Sequence, residues 1–223
     1  VRADAKLDHA VESLVDGAFF NSGQSCCGIQ RIYVARPLYD EFIDRAVALT
    51  NNYVLGNPLH ADTTLGPVVR VRAAAEIRDV IAEAVSAGAK NLIDHSHFNN
   101  ASKDSPYVAP ALLTRVNHRM RIMSEECFGP VVGIMPVDTD DEAITLMNDS
   151  PYGLTAAVFT QDEQAALMLG QQVRTGTFFM NRCDYLDPAL AWTGVKNTGR
   201  GASLSVLGYE QLTQAKSFHL RSV

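Results

Sequence analysis

At 223 residues the chain is long enough to bury a core without disulfide or metal staples, and its 47% hydrophobic and 20% charged content excludes a disordered polypeptide. A net charge of -6 gives no electrostatic reason to bind nucleic acid or anionic membrane, and no apolar run reaches the length of a bilayer span. Four cysteines, vicinal at Cys26 and Cys27 and isolated at Cys127 and Cys183, do not resemble a secreted disulfide scaffold; with no signal-peptide h-region, the expectation is a cytoplasmic protein with reduced thiols.

From Leu7 the apolar positions fall at 7, 10, 11, 14, 15, 18 and 19, one face of a 3.6-period helix. Asn21, Ser22 and Gly23 follow as residues suited to a left-handed stop, and the two vicinal cysteines come next. "GIQRIYVARP" reads as a strand closed by Pro37, which suits the first turn of a helix with Tyr39, Phe42, Ile43, Ala46 and Val47 on one face. A further helix is predicted from about Val71 to a stop at Gly88, with Ile77, Val80, Ile81, Ala84 and Val85 inward, and "NLIDH" as a short strand. "HSHFNNASKDSP" is a polar loop; its histidines have no metal-ligand spacing around them, so no metal is predicted. "YVAPALLTRV" and "PVVGIMPV" read as strands, then a helix capped by Asp138, Thr139 or Asp140, then "LTAAVFT", a helix from about Asp162 to Val173, and "GTFFMN". This alternation predicts an α/β fold with a mostly parallel sheet flanked by helices on both faces. The final "QAKSFHLRSV" reads as an extra strand free to pair elsewhere.

A cysteine between helix and strand at the mouth of an α/β sheet can be a rigidly held nucleophile; a pair of buried structural thiols has the same spacing. "FFNSGQSCCGIQR" resembles the active-site segment of the aldehyde dehydrogenase superfamily, at Phe20, Gly23, Gln24, Cys26 and Arg31. Further similarities follow in order: Gly56, Pro58, Thr64, Gly66 and Pro67 in "LGNPLHADTTLGPVV", then "YVAPALL" with Ala111 where Thr is usual, "EECFGPV", "NDSPYGLTAAVFTQD" and "GTFFMN".

The resemblance implies an aldehyde dehydrogenase catalytic domain over 1–208 and a C-terminal segment, 209–223, with an oligomerisation strand. It implies NAD or NADP as cofactor, an aldehyde as substrate and a homo-oligomer, dimer or tetramer, as the assembly. Cys26, ionised, would be the nucleophile, with Cys27 as packing. Glu126 and Phe128 would hold the nicotinamide ribose and flank its ring. Gln24, Ser25, Tyr185, Leu186 and Trp192 are candidate substrate contacts, although the single Trp is equally a core residue on composition. The family's nucleotide-binding domain, general base and oxyanion-hole Asn have no counterpart in the 223 residues, which predicts a fragment inactive alone. Where the family often has Pro-Phe-Gly-Gly-x-Lys and Gly-Arg-Glu, this chain has "AWTGVK" and "RGASLS", with Ser203 at the usual Glu. Two other readings stay open: a different thiol enzyme, such as an acyltransferase or hydrolase, in which His9 or His60 would serve Cys26, and a non-catalytic assembly module.

Overall fold

The computed structural model describes residues 1–183 and 185–223. Its main sheet has the order β1-β4-β3-β2, built from β1 (Arg31–Ala35), β4 (Val131–Val137), β3 (Ala111–Thr114) and β2 (Lys90–Asn91). β1 and β3 both run parallel to β4, with Ile32 opposite Ile134 and Leu112 opposite Val132. Strict alternation sends the side chains of these strands to two faces. Ile32, Val34, Leu112, Val132 and Ile134 join the core formed with helices α1 (Leu7–Phe19) and α2 (Arg36–Thr50). Ala111, Leu113 and Val131 join the core formed with α3 (Val71–Ser86) and α4 (Arg121–Ser124). Covering on both faces explains why the strands read as nearly continuous apolar runs.

A second unit pairs β6 (Thr155–Val158) in parallel with β7 (Thr177–Met180), beneath α5 (Asp140–Asn148) and α6 (Glu163–Gln172), where Val158, Ala166, Leu169, Ile144, Phe178 and Met180 pack together. The remaining pairings are short and antiparallel: β5 (Tyr152–Gly153) with β9 (Val195–Lys196), and β8 (Trp192–Thr193) with β10 (Ala202–Ser203). Parallel order therefore holds for the long pairings and fails for β2 against β3.

Several local expectations shift. The strand expected at "NLIDH" begins earlier, at Lys90, and keeps only Asn91 from that stretch. "YVAPALLTRV" contributes only Ala111–Thr114, because Pro110 has no N–H to offer a ladder. Val85 is 44% exposed rather than inward. Among the three candidate caps of α5, Thr139 is the one used, its Oγ1 accepting from Glu142 N. α7 (Ser205–Gln211) crosses residue 208. Residues 213–223 are exposed and form no strand in the single chain, since a strand exists only through a paired neighbour. Among the described residues no helix is long and apolar enough to cross a membrane, and no cluster of three or more His, Cys, Asp or Glu is arranged to hold a metal.

Candidate active site

The segment leading to Cys26 is shaped by three consecutive residues with positive φ, Asn21 (50°), Ser22 (58°) and Gly23 (72°). This left-handed run stops α1 and reverses the chain. It is pinned from below by the 54–69 loop: Ser22 Oγ donates to Gly66 O at 2.7 Å, Gln24 Nε2 to Pro67 O at 3.3 Å, and Val69 N to Gln24 Oε1 at 2.8 Å. Ser25–Gly28 then forms a tight turn closed by Gly28 N donating to Ser25 O at 3.0 Å. Cys26 sits exposed in that turn, with Cys27 half-buried beside it and Ser25 Oγ 3.3 Å from Cys27 Sγ.

Cys26 opens onto a cavity of about 1080 Å³ whose walls include Ser25, Glu126, Phe128, Phe178 and Trp192. Glu126 is exposed and Phe128 is 45% exposed, so a carboxylate and an aromatic face stand free on the wall that also carries the thiol. They lie just beyond α4, held close to the Ser25–Gly28 turn because Gly23 packs directly against the Gly129 backbone. An open carboxylate beside an open aromatic ring suits a ribose and a flat heterocycle. Trp192 resolves as a half-buried wall residue rather than core.

Three predicted contacts fall elsewhere. Gln24 does not line the cavity; its amide is used in tethering the 66–69 backbone and Asn21 O. Tyr185 and Leu186 are exposed, 43% and 51%, and do not line it either. The guanidinium of Arg182 lies 3.7 Å from the centre of the Tyr185 ring, a cation–π contact that holds the ring outside. The rest of that predicted loop includes Asp184, which lies outside the described residues. Conversely, Phe178, Leu154 and Thr198 line the cavity without having been singled out; the first two were read only as strand residues, and alternation could have placed one face of β7 toward a void.

The thiol's electrostatics differ from expectation. Burial, and next the neighbouring Cys27, push the Cys26 thiol up from the ordinary cysteine value, while backbone hydrogen bonds at Cys26 and Cys27 pull it down less strongly. Burial pushes the Cys127 thiol up to about 11, marking it as a packing residue. His9 is committed to Asn181 O at 2.8 Å and meets the Phe159 ring at a tilt of 54°; neither it nor His60 lines the cavity, so the His-paired thiol enzyme loses its base. Arg31 lines the cavity, but its guanidinium donates to the carbonyls of Leu146, Met147 and Asp149 at the C-terminal end of α5, where a cation satisfies free carbonyls and the helix dipole. Lys196 Nζ joins it there, donating to Asn148 O and Ser150 O at 2.9 and 3.0 Å.

Residues 1–218 match the aldehyde dehydrogenase family. The chain is 36% identical over 221 residues to the rat cytosolic aldehyde dehydrogenase 1, covering 99% of this chain and 44% of that protein. It is 33% identical to the 3-sulfolactaldehyde dehydrogenase of Priestia aryabhattai, covering 97% and 44%. A crystal structure of betaine aldehyde dehydrogenase from Staphylococcus aureus in complex with NAD+ superposes with a TM-score of 0.86 at 32% identity, covering 94% of this chain and 42% of that one. The chain thus spans less than half the length of the relatives it matches.

Proposed function

The chain belongs to the aldehyde dehydrogenase family, and we propose that the protein it forms part of oxidises an aldehyde to a carboxylic acid with NAD+ or NADP+, using Cys26 as nucleophile. The observation that carries this reading is the shared cavity: Cys26, Glu126 and Phe128 come from separate parts of the chain and line one chamber. The complex of the staphylococcal relative with NAD+ supports the choice of cofactor class.

In this mechanism the Cys26 sulfur adds to the aldehyde carbonyl and forms a thiohemiacetal, whose oxyanion is held by the Cys26 backbone N–H. Glu126 would hold the ribose hydroxyls, a carboxylate's usual part in nucleotide binding, and Phe128 would flank the nicotinamide. The dinucleotide, when bound, supplies the hydride acceptor. The resulting Cys26 thioester is released by water as the acid. Because burial and Cys27 push the Cys26 thiol up, addition calls for a proton acceptor; that base, and the remainder of the dinucleotide site, are assigned to residues outside these 223. On this reading the 223 residues alone turn over little or no aldehyde. Residues 1–208 act as the catalytic domain, and 209–223 carry the segment that pairs with a neighbouring subunit in a cytoplasmic dimer or tetramer.

The test is formation of NADH or NADPH by the longer protein with a panel of neutral, cationic and anionic aldehydes. Turnover that disappears in Cys26→Ser supports the reading; no turnover with any aldehyde, or full turnover in Cys26→Ser, sinks it.

A further inference from the structure

We propose that Gln30 is a positioning residue that fixes the Glu125–Phe128 segment relative to the nucleophile turn, and thereby sets the affinity for the dinucleotide; this rests on the reading of Glu126 and Phe128 given above. Gln30 lies four residues beyond Cys26, at the entry to β1. Its side-chain amide reaches across to the end of α4 and uses all its main hydrogen-bonding capacity there. Nε2 donates to Ile122 O at 2.6 Å and to Glu125 O at 2.5 Å, while Oε1 accepts from Cys127 N at 2.9 Å. Its backbone carbonyl accepts from Gly133 N at 2.9 Å, which locks the same residue into the β1–β4 ladder.

The chemistry of the three partners fits an amide alone. Ile122 O lies within, and Glu125 O just past, a four-residue helix too short to satisfy its own carbonyls, and they need two donors. Cys127 N needs an acceptor. Glutamine supplies both, at the reach required to cross from one strand to the next segment. The residues on either side of the clamped Cys127 are Glu126 and Phe128, both exposed into the cavity. Without the clamp, their backbone would rest on α4, which is a single turn long, and on the Gly23–Gly129 contact beyond them.

The test uses the longer protein, unaltered and as Gln30→Met and Gln30→Glu. Met keeps the length and loses the polar atoms; Glu keeps the acceptor for Cys127 N but turns an anionic oxygen toward two carbonyls. The dinucleotide KM is expected to rise about tenfold in Gln30→Met and further in Gln30→Glu, with the aldehyde KM within about twofold of the unaltered protein. A dinucleotide KM unchanged in Gln30→Met, or one that rises in step with the aldehyde KM, overturns the proposal. Amide hydrogen exchange on the unaltered protein provides a reading independent of turnover and of variant folding. Protection of Cys127 N–H comparable to the β4 amides supports the clamp, and exchange as fast as an exposed loop amide overturns it. If the unaltered protein reduces no NAD(P)+, the assigned reaction fails, while exchange at Cys127 still decides whether the clamp exists.

Discussion

Gly23 and Gly129 meet backbone to backbone: a Cβ placed on Gly23 would stand 2.0 Å from the Gly129 carbonyl oxygen. No side chain fits this seam, and Gly23 has φ +72°, where L residues are strained. Gly23→Ala is expected to destabilise the fold by roughly 3 kcal/mol or more, combining left-handed strain with overpacking. Gly88→Ala provides the control: it also has positive φ but nothing within 4 Å, so only about 1–2 kcal/mol is expected. Urea unfolding midpoints of the two variants check the difference, and equal losses would contradict the seam.

Cys26 is the exposed thiol, Cys27 and Cys127 are half-buried and Cys183 is buried. Partial alkylation with iodoacetamide, read by peptide mass spectrometry, should label Cys26 first. Because burial and Cys27 raise its pKa, the rate should climb with pH to a midpoint above the ordinary thiol value of about 8.5. A midpoint below that value would show an activating cation or base that the described residues do not supply.

Alkaline stability follows from Cys127, whose thiol pKa rises from 9.0 to about 11 on burial. A folded-state pKa above the unfolded one means that the stabilisation is complete below about pH 9 and is lost as pH rises through 11, where the folded thiol ionises. Two pK units correspond to roughly 3 kcal/mol. Comparing the unaltered chain with Cys127→Ala by denaturant unfolding, the stability gap should narrow by about this amount between the two ends of that window. A gap constant with pH would refute the assignment.

Thr139 Oγ1 accepts from Glu142 N at 3.1 Å, and Glu142 Oε2 accepts in return from Asp138 N at 2.7 Å. This reciprocal arrangement resembles a capping box. Thr139→Ala should cost about 1 kcal/mol, and Thr139→Ser should restore most of it. Thermal unfolding of both variants provides the measurement.

The turn at Asn21–Gly23 was legible because three residue types that tolerate left-handed backbone stood together at the end of a clear 3.6-period run. The covering of the sheet on both faces was legible in the succession of strands and helices, and in the continuous apolar run Val131–Val137. Gln30 was not: before a strand, a glutamine looks like any solvated polar residue, and its partners are more than ninety positions away. Gln24 misled for a related reason. Its neighbour Cys26 faces the cavity, but the left-handed backbone turns the Gln24 amide down onto Pro67 and Val69. Tyr185 and Leu186 lie outside the cavity lining, and a long loop carries no periodicity from which an inward or outward direction can be read.

The closed contact between Gly23 and Gly129 has a consequence for how such a chamber can diverge. Mutation cannot insert bulk into that junction or pry it apart without collapsing the floor that supports both the sulfur and the neighbouring acid. Variation in the chamber's size and polarity is therefore left to lining residues outside that junction, such as Phe178 and Trp192, and lineages that part ways in what they admit should differ there first.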